Sequence, residues 1–481
     1  MNNELYSEKT LATILSLLKD KLPEYLKQCQ EHPKDVHQYA KPSELFHLTD
    51  FYLKNPSLDI SKRIEEILKE LFLYSRPIQS PHYIGHQVAA PIPWAGALEA
   101  ATGVLNQGAA VFEMGPYVLA AERSMLQFLA KFISEEEAFE GIVTHGGTLA
   151  NLTALLAARN THYQNSFNQG ITNAVGKPAI IASADAHYCL ARALGVMGLG
   201  SDQVLKAPID ALTRKIDENK FKSFYHEKIQ AGYDIFALVG SACSTPTGAI
   251  DNLEFLGQFC EQNNLWFHVD AAHGGGFLLS QELRPLFKGI ERADSIVWDA
   301  HKMMFVPALC TFVFYKDKKH SYQTFSQDAP YLFDPSMSDL DFEGGLRTFE
   351  CTKGSLIVPL FTLLSTIGAA GISDLLEKLV SETKGFHQLL NKAPDFEPLH
   401  VPEANILCFR YLPLGEKEEN LDKIQDDVRI SLMREGDFYI TGTLLQSKRC
   451  LRVTVMNPLT AEKDFNQLLE RIRSLYQVRS K

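Results

Sequence analysis

Four short apolar runs, at 179–182, 235–239, 265–269 and 296–298, recur through the middle of this chain, with helical patterns between them as at 253–263. Alternation of this kind predicts a mostly parallel β-sheet covered by helices, an α/β fold. It also fixes where a ligand goes, because ligands of such sheets bind beyond the carboxyl ends of the strands. The chemically capable side chains fall at those ends. His187 comes shortly after the first run, Thr245 after the second, Asp270 closes the third and Lys302 follows the fourth.

Two of these residues select a chemistry. An amine and a carboxylate delivered by neighbouring buried strands suit pyridoxal phosphate. The amine of Lys302 forms the Schiff base, and Asp270 holds the proton on the pyridine nitrogen so that the ring can take up electrons. The setting of the lysine, Ala-His-Lys-Met-Met-Phe-Val, is apolar, which predicts a lowered pKa for its amine; a surface lysine is the competing reading. The phosphate needs backbone amides at a helix N-terminus. Residues 144–151, Thr-His-Gly-Gly-Thr-Leu-Ala-Asn, provide two glycines and then a helical pattern over 149–159. An ordinary glycine turn with Thr148 as N-cap fits the same residues. His187 suits stacking on a cofactor ring, or a structural role.

His268, Asp270 and His273 lie close together, but strand alternation directs 268 and 270 one way and leaves 273 in the following turn. No further ligand stands at metal spacing and there is no His-Glu-x-x-His, so no metal is expected. The net charge of −11 argues against nucleic acid or an anionic membrane as partner, since both need clustered positive charge. Eight scattered cysteines without a Cys-x-x-Cys pair predict reduced thiols and a cytoplasmic protein. The first residues lack the pattern of a signal peptide. No apolar stretch reaches the ~18–20 residues of a membrane span, 361–370 coming nearest.

The organisation expected is a helical N-terminal segment over 1–75, a large α/β domain over 76–364 and a small α+β domain over 365–481. The last would hold helices at 362–371 and 373–391, strands at 406–411 and 450–455, and a closing helix at 462–477. The irregular stretch 321–345 has the length of a functional lid.

Five blocks in this chain resemble, in order, the group II pyridoxal-phosphate-dependent amino-acid decarboxylases, among them the glutamate, cysteine-sulfinate, diaminobutyrate and aromatic amino-acid enzymes. They are Gly146-Gly-Thr-Leu-Ala-Asn151, Ser244-Thr-Pro-Thr-Gly-Ala-Ile-Asp251, His268-Val-Asp-Ala-Ala272, Asp299-Ala-His-Lys302 and Leu451-Arg-Val-Thr-Val-Met-Asn-Pro458. The resemblance implies a fold-type I enzyme, a homodimer with active sites at its interface, acting as a carboxy-lyase that turns an L-amino acid into its amine and CO2. It implies that Lys302 binds the cofactor aldehyde and Asp270 its ring nitrogen. His187 and Ala272 would flank the ring, Gly147, Thr148 and His301 would hold the phosphate, and Thr245 would line the pocket.

The resemblance also bears on substrate. His86 and Gln87 stand where glutamate-type members have Asn-Gln, and Arg452 matches an arginine that contacts substrate carboxylate. Gln87 with Arg452 implies a short polar or acidic substrate: glutamate, aspartate, cysteine sulfinate or 2,4-diaminobutyrate. The family's mobile loop, placed here at 331–345, carries a tyrosine that returns a proton to Cα. The only tyrosine in that stretch is Tyr331, and Phe342 has no proton to give. Either Tyr331 or another donor serves, or protonation is slow. Slow protonation would expose the carbanion to oxygen and make the chain a decarboxylating aldehyde synthase. A non-catalytic member of the fold is the remaining alternative, and Lys302, Asp270 and His187 together argue against it.

Overall fold

The computed structural model describes residues 5–31, 39–325 and 340–479. The chain divides into two compact units. The larger comprises Gln87–His387 with Leu399–Cys408, and the smaller comprises Met1–His86, Gln388–Pro398 and Phe409–Lys481. This differs from the expected segments in two ways. The N-terminal helices group with the C-terminal residues, and the boundary expected at 364/365 falls inside one helical run, Val358–Lys392. That run is interrupted at Gly368, whose φ of 68° turns the chain without ending the apolar pattern. It is also long and apolar enough to cross a membrane by length and composition, which 361–370 alone did not show. Its side chains Leu360, Leu363, Ile372 and Leu376 are fully buried by the protein itself, although only 33% of its most apolar window is buried.

The larger unit is built on a seven-stranded sheet. Its strands are β1 (Glu140–Thr144), β2 (Lys177–Ser183), β3 (Val204–Ala207), β4 (Tyr233–Ser241), β5 (Trp266–Asp270), β6 (Ser295–Asp299) and β7 (Thr311–Tyr315), in the order β1-β7-β6-β5-β4-β2-β3. Only β7 runs against the others, pairing antiparallel with both β1 and β6. The four apolar runs are the cores of β2, β4, β5 and β6. Their continuous apolar character has a cause: both faces are covered, so no alternation with polar residues survives. The helix Gly147–His162 lies on this sheet through Ala150, Ala154, Leu155 and Ala158, all fully buried. Three of those contacts are alanines, which let helix and sheet approach closely.

Register aligns the strand ends that carry the site. Asp270 stands level with Ser241 of β4 and Val297 of β6. A buried polar chain then ties these strands to the helix. Trp266 Nε1 donates to Ser295 Oγ (2.8 Å), which faces His268 Nδ1 (2.8 Å). His268 Nε2 meets Asn151 Oδ1 at 3.0 Å, and Asn151 Nδ2 donates to the Gly147 carbonyl at 2.8 Å. Asn151 uses its amide as donor, so its oxygen must accept and His268 must carry its proton on Nε2. Burial pushes the pKa of His268 down to about 4, which keeps the ring neutral. At the other edge, the buried ammonium of Lys353 binds Glu122 Oε1 (2.6 Å) and the Val143 carbonyl (2.9 Å), fixing the end of β1.

In the smaller unit, described by itself, Glu8–Glu31, Pro42–Lys54 and Ile60–Tyr74 are the N-terminal helices. Tyr25 stacks on Phe72 with ring centroids 4.8 Å apart. The sheet of the C-terminal residues contains β8 (Phe396–Pro398), β9 (Ile406–Tyr411, whose residues 406–408 are counted with the larger unit), β10 (Thr441–Leu445) and β11 (Lys448–Thr454), in the order β10-β11-β9-β8. Residues 82–84 thread beside it. Tyr439 N donates to the His82 carbonyl, Ile84 N to the Tyr439 carbonyl and Thr454 N to the Ile84 carbonyl.

Candidate active site

Beyond Thr144 the chain turns at Gly146, with φ 87°, and enters the 16-residue helix Gly147–His162. Gly146 is the N-cap and offers no side chain, so Thr148 lies inside the first turn and is not the cap. The first-turn amides have no intrahelical acceptor and carry the positive end of the helix dipole. A Cβ on Gly147 would stand 3.1 Å from Asp299 Oδ2 and 3.5 Å from Ala272 Cβ, so a larger residue there would crowd the Asp299 carboxylate.

Asp270 ends β5, and its Oδ1 accepts a hydrogen bond from Ala272 N at 3.1 Å. β6 delivers Asp299, and the short helix Ala300–Met303 then presents Lys302 one turn later. Lys302 Nζ lies 2.8 Å from Asp299 Oδ2. This overturns the expectation of a lowered amine pKa. Burial does pull the ammonium down, but Asp299, and behind it Asp270 and Cys189, outweigh burial and leave the Lys302 pKa raised. The apolar neighbours in sequence were real; the carboxylates that decide the sign come from two strand ends.

His187 follows β2 and takes a hydrogen bond on Nδ1 from Cys189 N at 3.3 Å. Burial lowers its pKa, against the opposing pull of Asp270. His301 is held through Nδ1 to the Cys310 carbonyl at 2.9 Å, with Nε2 3.7 Å from Asp299. Gly147, Thr148, His187, Thr245, Asp270, Ala272, His301 and Lys302, every residue the sequence assigned to the cofactor, line one cavity. Gln87 lines it too.

The other expected substrate residues lie in the smaller unit. His86 Nε2 meets the Tyr439 hydroxyl at 3.0 Å, and Tyr439 stacks face to face on Tyr83 at 4.8 Å. Arg452 is buried on β11, its Nη1 3.3 Å from both the Gly85 carbonyl and Thr441 Oγ1. Tyr331 lies outside the described residues. Phe342 is described, and its ring packs edge-on against Phe112 at 5.6 Å.

No group of three or more His, Cys, Asp or Glu side chains could hold a metal ion among the described residues. Both ring nitrogens of His268 are taken by Ser295 and Asn151, and His273 Nε2 is bonded to Asn405 at 2.8 Å. All eight cysteines are free thiols.

Three site features escaped the sequence reading: the Asp299–Lys302 ion pair, the Asn151–His268 link, and His145, a cavity residue whose Nδ1 lies 3.1 Å from Glu350. The first was accessible as an Asp and a Lys three residues apart; the other two join residues more than a hundred positions apart. The donor set fits pyridoxal phosphate. An amine, a carboxylate at a strand end, an imidazole and a glycine-opened helix N-terminus converge on one cavity.

Known proteins resemble this chain in sequence and in fold. Residues 90–412 match the family model of the pyridoxal-dependent decarboxylase conserved domain. The chain is 25% identical over 453 residues to the acidic amino acid decarboxylase GADL1 of Mus musculus, a match spanning 92% of this chain and 81% of that protein. The crystal structure of mouse CSAD superposes with a TM-score of 0.90 at 22% identity, covering 97% of this chain and 98% of that one. A 4-hydroxyphenylacetaldehyde synthase from Rhodiola rosea superposes with a TM-score of 0.85 at 17% identity, covering 98% and 99%. At these identities the two solved structures show a common fold.

Proposed function

The chain belongs to the pyridoxal-dependent decarboxylase family, and we propose that the L-amino acid it decarboxylates is short and acidic. It is a pyridoxal-phosphate-dependent carboxy-lyase. When bound, the cofactor accepts into its ring the electrons of the breaking Cα–carboxylate bond. In the reading proposed here, Lys302 would supply the amine that anchors it and Asp270 the negative charge that holds a proton on its ring nitrogen. The first turn of Gly147–His162 receives its phosphate.

One observation carries the acidic reading. In the smaller unit the segment ending at His86 lies in the field of two guanidinium groups. Burial first, then Arg452 and Arg76, push the His86 pKa below its ordinary value. The imidazole is therefore neutral at neutral pH. Such a field favours a carboxylate or sulfinate side chain and disfavours the ammonium of 2,4-diaminobutyrate. The name of the mouse relative, an acidic amino acid decarboxylase, points to the same class. The test is CO2 release by the cofactor-loaded enzyme across L-amino acids. Aspartate, cysteine sulfinate or glutamate should exceed 2,4-diaminobutyrate and the aromatic amino acids by about tenfold or more in kcat/KM. A preference for diaminobutyrate would sink the reading.

The same proposal includes a homodimer with active sites at its interface. Its support in the larger unit is a set of apolar side chains left exposed: Trp94, Val104 and Leu105 on Pro93–Leu105, and Tyr117 on Pro116–Ile133. Exposed apolar surface of this kind marks contact sites. Light scattering should give about twice the 53.9 kDa of one chain; the mass of a single chain at micromolar concentration would rule the dimer out.

A further inference from the structure

We propose that Asp299 is an internal counter-ion from which Lys302 must be released before its amine can capture the cofactor, so that loading is slowed by this chain's own carboxylate. Asp299 is fully buried at the end of β6. Its Oδ1 accepts from Thr311 Oγ1 at 2.6 Å, which fixes the carboxylate, and its Oδ2 lies 2.8 Å from Lys302 Nζ. The two residues are separated by one helical turn, and the geometry holds the ammonium at the carboxylate while the lysine side chain faces the cavity.

The charged and titratable groups around this amine act in both directions. Asp270 on β5 and Cys189 on the helix Cys189–Val196 add to the pull of Asp299. His187 and His301 are the imidazoles beside the pair. The sum raises the Lys302 pKa despite burial. Capture requires the opposite state. Lys302 must first give one proton to water. The Nζ lone pair then adds to the aldehyde carbon, and the aldehyde oxygen leaves as water while the C=N bond forms. Every factor that keeps the ammonium populated slows that addition at neutral pH.

A rival explanation lies close by. The Asp299 carboxylate also stands at the start of the helix Gly147–His162, within 3.1 Å of where a Gly147 Cβ would be. It could oppose the phosphate and leave the amine unaffected. Pyridoxal, which has the aldehyde and ring but no phosphate, separates the two.

The experiment uses the full chain stripped of cofactor and follows the visible band of the lysine-bound ligand across pH. Both pyridoxal phosphate and pyridoxal are tested, on wild type and on Asp299→Asn. Asparagine keeps the shape and can still accept from Thr311. In the variant, capture of both ligands at neutral pH should accelerate about tenfold, and the midpoint of the pH profile should fall by about one unit. An unchanged or higher midpoint overturns the proposal, as does a gain confined to pyridoxal phosphate. If the variant shows no cooperative melt, the wild-type profile decides. A midpoint above the ~10.4 of an ordinary lysine supports the ion pair, and one at or below it refutes it.

Discussion

Replacement of Lys302 by alanine is expected to abolish CO2 release and the visible band of bound cofactor together. Lys302 is the only lysine among the described residues lining the cavity. Its amine is also the group placed to move a proton there, so the loss should be at least about a thousandfold in kcat/KM. The substitution has a structural side effect that must be separated from the chemical one. It leaves the buried Asp299 carboxylate with Thr311 but without its cation, and an uncompensated buried charge costs about 3–5 kcal/mol. The single variant should therefore melt at lower temperature. The double variant Lys302→Ala with Asp299→Asn removes that penalty and should recover the melting temperature while remaining inactive. Turnover in either protein would mean that another amine carries the reaction.

Much of this site was legible because the strands that deliver it are buried on both faces. β2, β4, β5 and β6 announce themselves as unbroken apolar runs, and the residues just past them form the cavity. β7 was missed although Phe312, Val313 and Phe314 are as apolar as any of these. It returns antiparallel only a few residues after Lys302, and a strand–helix–strand rhythm has no place for it. β3 was missed because Val204–Ala207 is short and partly exposed. The grouping of the N-terminal helices with the C-terminal residues depends on pairings such as Ile84 with Tyr439, which no local pattern encodes. The error over the Lys302 amine was of another kind. Neighbours in sequence describe the solvent exclusion around a group, but its charge partners are set by which strand ends meet.

The second large effect is expected at Asp270, and there binding and turnover should move in opposite directions. Asp270 is fixed at the end of β5 by its register with Ser241 and Val297, and its Oδ1 accepts from Ala272 N. An asparagine oxygen can accept that same hydrogen bond, so Asp270→Asn removes a charge and little else. If the carboxylate serves to hold a proton on the cofactor ring, CO2 release should fall by about a hundredfold to a thousandfold in kcat. If it serves only as a cap for the following turn, asparagine replaces it and turnover stays. Asp270 is also one of the carboxylates that raise the Lys302 pKa. Its neutralisation should therefore free the amine somewhat, and the visible band should form at lower pH than in wild type even as turnover is lost. A variant damaged merely in its fold would lose both. Faster capture of cofactor with slower release of CO2, measured on one protein, is the signature that only a charge acting on both the amine and the ring can give.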